Sequence, residues 1–448
     1  MRLKVLKQAK NVYFIGVGGV SMSALAKLLS VYNYSVSGSD GVKSESLDAL
    51  AFYGVQVFVG EDENRSQLLG ADVVVVTDAI GLEHVELVAA KKLKKRILSR
   101  SELLEGVCQE FSNVVAVAGS HGKTTCTSMC AHVLKSCGVP FTAHIGGEDQ
   151  RFGNFYYSGE EYLVSEACEY KRNLLKIPSD TAILLNVDND HMECYKDGED
   201  LTKCFYQFCK RAKTAFVCAD DERCAKFGFS TFGISNPLAD YRATEIRKKN
   251  ERYSFTVEEY GKALCRVKLQ AIGYCNVYNA LAAFAAMRSH GFHEREISRG
   301  LENFVAVKRR FERIGQYRGA DFICDYAHHP REIRSTLSTA QGVCRGNLYV
   351  VFQPHTYSRT KLLLREFIEV LQPIKNLMIY KTFPAREKYD AMGSAEFLAR
   401  EVGGCLYAEN VNVLKTWLKK TVKEGDAVLF LGAGDIYYAA QYLLRELT

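Results

Sequence analysis

Short runs of apolar and β-branched residues recur along the chain and predict buried strands. They lie at residues 12–17, 73–77, 114–118, 182–187, 215–219, 348–352 and 427–431. Longer segments of helical character, such as residues 20–32 and 124–137, separate many of these runs. Strands that alternate with helices are typical of parallel sheets covered on both faces. The pattern therefore predicts an α/β fold.

Three of the predicted strands run into glycine-rich turns. The turns lie near the start of the chain at residues 16–19, at the end of its first quarter at 119–122, and near its end at 432–434. We therefore assign them to different domains and place boundaries near residues 108 and 308. The predicted segments are 1–108, 109–308 and 309–448, and the second boundary falls in the basic stretch 308–310.

Composition narrows the class of protein. A chain of 448 residues is long enough for about two to four domains. The net charge of +6 is too small for this length to indicate a nucleic-acid partner. The 15 cysteines form no C-x-x-C pair, and the basic start is followed only by a short, glycine-broken apolar stretch. These features predict a reduced, cytoplasmic enzyme without a membrane-spanning segment.

The strongest chemical signal follows the predicted strand 114–118. It comprises Gly119, Ser120, His121, Gly122, Lys123, Thr124 and Thr125. Glycines in such a loop aim backbone N–H groups at phosphate oxygens. We therefore expect Lys123 to reach the β/γ-phosphates and the Thr124 hydroxyl to hold Mg²⁺. The general P-loop has four residues between its glycines, whereas Gly119 and Gly122 enclose two. The segment still predicts a nucleotide site, because Gly-Lys-Thr-Thr sits at a strand-to-helix junction.

Two further polar groups follow apolar runs. Glu166 belongs to EACE at residues 166–169, and His191 ends NVDNDH at residues 186–191. In a parallel sheet, both groups lie at carboxyl strand ends, on the edge that carries the phosphate loop. Glu166 is therefore a candidate Mg²⁺ ligand, and His191 a candidate ligand of a second ion. The alternatives are a surface carboxylate for Glu166 and a local hydrogen-bond partner for His191.

The ordered series of motifs resembles the ATP-dependent Mur ligases of peptidoglycan synthesis, over nearly the whole chain. Besides GSHGKTT at 119–125, it comprises FIGVGGVSMS at 14–23, VSGSD at 36–40, TDAI at 77–80, EACEY at 166–170, DHM at 190–192, GYCNVYNAL at 273–281, KRRFE at 308–312, DYAHHP at 325–330, FQPHTYSRT at 352–360 and GAGD at 432–435. The resemblance is greatest to the members that join L-alanine to UDP-N-acetylmuramate.

The resemblance implies a three-domain α/β architecture. A Rossmann-like N-terminal domain would bind the UDP part of the sugar nucleotide, and a P-loop central domain would bind ATP. A Rossmann-like C-terminal domain would close over the site and receive the amino acid. The implied reaction converts ATP, UDP-N-acetylmuramate and L-alanine into ADP, phosphate and UDP-N-acetylmuramoyl-L-alanine through an acyl phosphate. It implies Mg²⁺, as two ions, and a monomer or weak homodimer with neither nucleic-acid nor membrane partners.

The resemblance also implies roles for individual residues. Lys123, Glu166 and His191 would be catalytic, and Thr124, Glu166 and His191 would hold metal. ATP would contact residues 119–125 together with Asn276, Asn279, Arg310, Asp325 and His328. The sugar nucleotide and the amino acid would contact Gly16, Gly18, Gly19, Val20, Ser21, Asp40, Thr77, His355, Arg359 and Arg386. Capping is the alternative for Asn276 and Asn279, and surface packing for His355 and Arg359, whose i, i+4 spacing shares a face if the segment is helical.

The first glycine loop allows a different interpretation by itself. Gly16-x-Gly18-x-x-Ser21 is close to the dinucleotide-binding fingerprint, and Asp40 lies near the position of a ribose-binding acid. An NAD-dependent oxidoreductase is therefore one rival hypothesis, although the same turn serves a UDP diphosphate equally well. The other rivals are a P-loop ATPase that forms no amide and a related ligase that recycles a murein tripeptide.

Three positions depart from the pattern of the family. Cys168 stands where many relatives carry Asp, Cys275 where His is common, and Thr356 where some relatives have Arg. None of these changes removes a residue that the predicted chemistry requires. Some sister ligases use a carbamoylated lysine near the second metal ion, and the sequence predicts none here.

Overall fold

The N-terminal part of the chain forms a parallel five-stranded sheet in this computed structural model, which describes residues 2–448. After a 3₁₀ turn at Lys4–Leu6 come β1 (Asn11–Ile15), α1 (Val20–Val31), β2 (Ser35–Asp40), α2 (Glu45–Ala51), β3 (Gln56–Val59), α3 (Ser66–Leu69), β4 (Val73–Val76), α4 (Val85–Lys92), β5 (Arg96–Ser99) and α5 (Arg100–Cys108). The strand order is β3-β2-β1-β4-β5. The order reverses at β1, so the turn after β1 lies at the switch point where such sheets bind ligands.

The central part forms a ten-stranded sheet in the order β15-β14-β13-β12-β11-β10-β6-β9-β7-β8. Its strands and helices are β6 (Asn113–Ala118), α6 (Lys123–Cys137), β7 (Phe141–Asp149), β8 (Gly153–Tyr157), β9 (Tyr162–Glu166), β10 (Thr181–Leu184), α7 (Gly198–Arg211), β11 (Thr214–Cys218), β12 (Ser230–Gly233), β13 (Tyr241–Lys249), β14 (Arg252–Glu259), β15 (Lys262–Ile272), α8 (Cys275–Ser289) and α9 (Glu294–Asn303), with 3₁₀ turns at Tyr170–Lys176, Met192–Cys194 and Cys224–Phe227. Because β6 pairs in parallel with β9 and β10, the loops after these three strands open at one edge.

The C-terminal part forms a six-stranded sheet in the order β16-β17-β21-β18-β19-β20. Its elements are β16 (Glu312–Tyr317), β17 (Ala320–Asp325), α10 (Pro330–Val343), β18 (Leu348–Phe352), α11 (Tyr357–Leu362), α12 (Leu364–Leu371), β19 (Asn376–Tyr380), a 3₁₀ turn at Ala391–Gly393, α13 (Ala395–Val402), β20 (Leu406–Ala408), α14 (Val411–Thr421), β21 (Ala427–Leu431) and α15 (Ile436–Leu447). Only the β16–β17 pair is antiparallel, so the sheet is mixed.

The residues group into two compact units. The first comprises the chain up to Ile246 with Phe255–Lys268 and Tyr278–Phe304, and the second comprises Arg247–Ser254, Leu269–Val277 and Val305–Thr448. The three sheets confirm the predicted three-domain α/β architecture, whereas the boundaries at 108 and 308 stay predictions. Within residues 2–448, no helix has the length and apolar character needed to span a bilayer.

The predicted strands all form, with small differences at their ends. The run 12–17 ends as β1 at Ile15, because the N–H groups of Gly16 and Val17 turn to donate to the carbonyl of Ser39. The predicted helices 20–32 and 124–137 are α1 and α6. Apolar packing explains this agreement, since residues 114–118 of β6 are at most 2% exposed.

Candidate active site

The phosphate loop joins the central strand β6 to α6. Gly119 and Gly122 have φ of 135° and 87°, in the region that favours glycine. A Cβ atom on Gly122 would lie only 2.6 Å from Oδ1 of Asn279. Two independent requirements therefore fix glycine at 122, and the second places Asn279 beside the loop.

Hydrogen bonds to the segment after β10 hold the loop in place. The N–H of His121 donates to Oδ1 of Asn186 at 2.9 Å, and Nδ2 of Asn186 donates back to the carbonyl of His121 at 3.1 Å. The Ser120 hydroxyl donates to the carbonyl of Asp188 at 3.0 Å. Hydrogen bonds within the protein therefore hold the phosphate loop in this conformation. Asn186 and Asp188 were not among the predicted site residues, although both lie in the quoted 186–191 segment.

Lys123 places a positive charge at the mouth of the loop. Its Nζ contacts the carbonyl oxygens of Gly119 and Ser120 at 2.5 and 3.2 Å and the Glu169 carboxylate at 3.0 Å. Burial acts to lower the pKa of Lys123, but the adjacent Glu169 carboxylate outweighs it and the pKa is raised. The ammonium therefore stays charged, beside the buried first turn of α6 that contains Thr124 and Thr125. A cation and a helix N-terminus together suit phosphate.

Candidate metal ligands follow β9 and β10. Glu169, Asp190 and His191 present ligand atoms that all lie within 4.8 Å of one another. Glu166 lies at the end of β9, where its Oε1 accepts a hydrogen bond from the N–H of Gly146 at 2.7 Å. Carboxylates and an imidazole form a suitable donor set for a divalent cation. The prediction combined Thr124, Glu166 and His191, and it omitted Glu169 and Asp190, although their motifs were identified.

The first glycine loop is held by Thr77 and Asp40. Gly16 has a φ of 82°, and a Cβ there would lie 2.6 Å from Cγ2 of Thr77. The N–H of Gly18 donates to Oδ2 of Asp40 at 2.9 Å, so Asp40 supports the loop backbone. Gly19 precedes α1, which begins with the half-exposed Val20 and with Ser21. The structure therefore brings these predicted sugar-nucleotide residues together at the end of β1.

Arg100 joins this loop to a pocket that the sequence did not reveal. Its Nη1 donates to Oγ of Ser21 at 3.2 Å, and its Nη2 lies 3.8 Å from Oδ2 of Asp78. The pocket is lined by Arg100, Ser101, Leu104, Glu166, Cys168, Asn173 and Ile177. A guanidinium and the candidate metal carboxylate thus share one small pocket. A lone arginine at the start of a helix gives no recognisable motif.

His144 is a second residue that sequence reasoning missed. Its Nε2 lies 2.8 Å from Oγ of Ser21, and its Nδ1 lies 2.9 Å from Oγ of Ser165. Burial, and secondarily the Arg100 charge, lowers the pKa of His144 to about 4. The folded protein therefore holds this imidazole neutral at neutral pH.

We expect His144 to make the first unit lose stability in mild acid. Between pH 6.5 and pH 4, the unfolded histidine binds a proton that the folded one does not, so stability falls as the pH falls. The slope from this one group is at most about 1.4 kcal/mol per pH unit. Urea unfolding followed by circular dichroism at pH 7 and pH 5 measures it, and His144→Asn should reduce the loss. An equal loss in wild type and variant would contradict the assignment.

A second cluster of charged side chains lies in the second compact unit, which contains the C-terminal part of the chain and is called the C-terminal unit below. Oδ2 of Asp325 accepts from the N–H of Phe311 at 2.7 Å, and Nδ1 of His328 lies 3.3 Å from the Glu332 carboxylate. Burial raises the pKa of Asp325, although the Arg310 charge opposes it. The Arg310 guanidinium lies over the Tyr326 ring, 4.9 Å from its centroid. Arg310, Asp325 and His328 therefore occupy one region of this unit.

The adjacent Arg309 has a structural position. Its Nη2 donates to the carbonyls of Gly432 and Gly434 at 3.3 and 2.8 Å, and its guanidinium lies over the rings of Tyr326 and Tyr437. Arg309 thereby holds the third glycine turn. The basic stretch 308–310 is therefore not only a solvated linker.

Arg309→Ala and Arg310→Ala should have different effects. Arg309→Ala removes two charge-assisted hydrogen bonds and ring contacts, and should destabilise the C-terminal unit by about 2–3 kcal/mol. Arg310→Ala should change stability by less than about 1 kcal/mol and raise the KM for ATP. Urea midpoints and ATP titrations of both variants measure this difference. Equal destabilisation by the two substitutions would be the contrary result.

His355 and Arg359 lie together, but not on one helix. The helix α11 begins at Tyr357, and Thr356 has a φ of 66°, so His355 precedes the helix and the condition for a shared helical face is not met. Nη1 of Arg359 nevertheless lies 3.1 Å from Nδ1 of His355, whose ring stacks on Phe383.

Two other predicted site residues, Arg386 and Asn276, lie among local contacts. Arg386 is exposed, while its neighbour Glu387 accepts from the N–H of Ser358 at 2.9 Å. Nδ2 of Asn276 donates to the carbonyl of Ile272 at 2.8 Å, a local contact at the start of α8. Neither contact points to a ligand.

Known proteins are similar to this chain in sequence and in fold. Three family descriptions match the chain: "Mur ligase family, catalytic domain" at residues 11–112, "Mur ligase middle domain" at 117–287 and "Mur ligase, glutamate ligase domain" at 309–434. A protein of Caldicellulosiruptor bescii named UDP-N-acetylmuramate–L-alanine ligase is 36% identical, over 97% of this chain and 98% of its own. The chain belongs to the Mur ligase family. A protein of the same name from Clostridium tetani is 35% identical to this Mur ligase, over 99% and 100% of the two chains.

Solved structures agree with this membership. The UDP-N-acetylmuramate–alanine ligase of Thermotoga maritima matches this Mur ligase with a TM-score of 0.84 and 28% identity, over 97% of this chain and 98% of that one. A murein peptide ligase of Psychrobacter arcticus matches with a TM-score of 0.77 and 24% identity, over 98% of both chains. The second likeness concerns the fold alone.

Proposed function

We propose that this Mur ligase joins L-alanine to UDP-N-acetylmuramate with hydrolysis of ATP to ADP and phosphate. The observation that carries the proposal is the meeting of Lys123, the glycine loop and Glu166 at one sheet edge. The full-length similarity to relatives of that name supports the choice of substrates. The NAD hypothesis loses its basis, because a phosphate loop and a carboxylate cluster accompany the first glycine turn.

The chemistry follows from the need to activate a carboxylate. An oxygen of the sugar-nucleotide carboxylate attacks the γ-phosphorus of ATP, ADP leaves, and an acyl phosphate forms. The alanine amine then attacks the acyl carbon, loses a proton and expels phosphate as the amide forms. Phosphoryl transfer depends on positioning and charge neutralisation, which the Lys123 ammonium and the loop N–H groups provide.

Mg²⁺ completes the proposed site. We assign it to Thr124, Glu166 and His191, with Glu169 and Asp190 beside them, and propose two ions. Bound there, Mg²⁺ would neutralise phosphate oxygens during transfer. The Glu169 carboxylate also contacts the Lys123 ammonium, so the lysine side chain keeps its place near the loop.

Binding roles are proposed for the remaining groups. The sugar-nucleotide site comprises Gly16, Gly18, Gly19, Val20, Ser21, Asp40 and Thr77. ATP is contacted by Asn276, Asn279, Arg310, Asp325 and His328. His355, Arg359 and Arg386 contact the sugar nucleotide and the amino acid. We place domain boundaries near 108 and 308 and propose a cytoplasmic monomer or weak homodimer.

One assay tests the proposal. Purified protein with ATP, Mg²⁺ and UDP-N-acetylmuramate is offered L-alanine, glycine, L-serine or the murein tripeptide. Released phosphate is measured, and products are identified by mass spectrometry. We expect alanine-dependent release and the alanyl product. Release that requires the tripeptide would assign the protein to recycling, and release independent of any acceptor would make it a plain ATPase.

A further inference from the structure

His144 lies between the first glycine loop and the end of β9. It is in β7, where its backbone is in register with Ser165, the residue before Glu166. The side chain is only 6% exposed, and each ring nitrogen faces one serine hydroxyl, that of Ser21 or of Ser165. No step of the proposed reaction uses this imidazole.

The donor and acceptor roles in this hydrogen-bond network can be assigned. The Ser165 hydroxyl donates to the carbonyl of Glu166 at 3.2 Å, so its oxygen is available to accept from Nδ1–H of His144. Nε2 of the neutral ring then accepts from the Ser21 hydroxyl. The oxygen of Ser21 in turn accepts from Nη1 of Arg100. The protons are assigned from this network, in which every hydroxyl both donates and accepts.

The same strand also holds the candidate metal carboxylate. Two residues after His144, the N–H of Gly146 donates to Oε1 of Glu166 at 2.7 Å. A Cβ on residue 146 would lie 2.4 Å from that oxygen, so glycine is required for this contact. Thus β7 contacts the first glycine loop through Nε2 of His144. It contacts Ser165 through Nδ1 of His144 and Glu166 through the N–H of Gly146.

We propose that His144 is a positioning residue that links the sugar-nucleotide loop to Glu166. The inference rests on the proposed function, which makes Ser21 part of the sugar-nucleotide site. Nε2 orients the Ser21 hydroxyl and, through it, the Arg100 guanidinium. Nδ1 fixes Ser165 and thereby the end of β9 that carries Glu166. The two nitrogens therefore serve different steps: nucleotide binding and phosphoryl transfer.

Substitution of His144 by asparagine or by glutamine separates the roles of its two ring nitrogens. An asparagine amide occupies the region of Nδ1, and a glutamine amide reaches that of Nε2. His144→Asn should raise the KM for UDP-N-acetylmuramate about fivefold to tenfold and leave kcat within about twofold. His144→Gln should instead lower kcat about fivefold to tenfold and raise the Mg²⁺ concentration needed for half-maximal rate. A purely structural histidine would give the same change in both variants.

His290 provides the matched control. Its Nε2 lies 3.0 Å from the Thr181 hydroxyl and burial lowers its pKa, but it lies at the opposite end of β10 from the phosphate loop. His290→Asn and His290→Gln should leave both kinetic parameters within about twofold. If His144 variants change kinetics no more than these, the link is overturned.

A double variant tests the connection without relying on the core substitution alone. Ser21→Ala should raise the KM for UDP-N-acetylmuramate, and adding His144→Asn should raise it no further, because both break one chain. Multiplied effects of the two substitutions would overturn the link. Calorimetry with UDP-N-acetylmuramate, without ATP or alanine, gives the same comparison for binding.

The proposed function and the link fail in different ways. Wild-type protein that binds UDP-N-acetylmuramate and forms the alanyl product, but shows independent Ser21 and His144 effects, overturns only the link. Wild-type protein that binds UDP-N-acetylmuramate but forms no alanyl product overturns the proposed reaction, while calorimetry on the variants still decides the link. Wild-type protein that does not bind the nucleotide overturns both.

Discussion

Lys123→Ala is expected to lower kcat by about 10³-fold, because it removes a side-chain cation that contacts the phosphate loop. The structure adds a second consequence. Glu169 is 1% exposed and its carboxylate contacts the Lys123 ammonium at 3.0 Å, so the substitution leaves a buried charge without this partner. Loss of one member of a buried pair costs about 3–5 kcal/mol. The variant should therefore be both inactive and less stable, as measured by alanine-dependent phosphate release and urea unfolding.

A double variant separates these two effects. Glu169→Gln removes the unbalanced charge, so Lys123→Ala/Glu169→Gln should regain most of the lost stability without regaining activity. Lys135→Ala is a matched control, because this lysine lies on the same helix α6 and bonds to the Tyr156 hydroxyl near the surface. Near-normal turnover by Lys123→Ala would show that the phosphate-loop assignment is wrong.

The main buried strands and the position of the phosphate loop could be predicted from local sequence patterns. Strands such as β6 are apolar along most of their length (residues 114–118) because both faces are covered, and glycine marks turns that a side chain would block. Other strands escape this reasoning. The strand β13 reads YRATEIRKK, with polar and charged residues at most positions and an exposed second half, so no buried run marks it. Its pairing with β12 comes from the surrounding sheet and not from its own composition.

The site shows the same division between local and distant information. Lys123, Glu166 and His191 could be proposed as site residues from the sequence, because each lies at or beyond the carboxyl end of one of the parallel strands β6, β9 and β10. His144 and Arg100 were not, because their contacts with Ser21 span 123 and 79 positions of sequence. Such contacts depend on how separate sheets pack, and an isolated residue gives no pattern. Likewise, Arg309 and Arg310 look alike in sequence, and only the fold gives one of them the third glycine turn.

Glu166→Gln is expected to lower kcat about 10²- to 10³-fold and to raise the Mg²⁺ requirement, because it removes a ligand charge while keeping the shape. The amide oxygen can still accept from the N–H of Gly146, so the end of β9 should stay in place. Urea unfolding should therefore remain within about 1 kcal/mol of wild type.

A glutamate at the opposite end of the same strand region provides the control for this prediction. Glu161 is exposed and directly precedes β9, whereas Glu166 ends that strand. Glu161→Gln removes the same charge from the amino end, so it should alter neither kcat nor the Mg²⁺ requirement by more than about twofold. Rates of phosphate release are measured for both variants across Mg²⁺ concentrations. If Glu166→Gln matched wild type at low Mg²⁺, the carboxylate would not hold the metal, and the neighbouring Glu169, Asp190 and His191 would have to hold it alone.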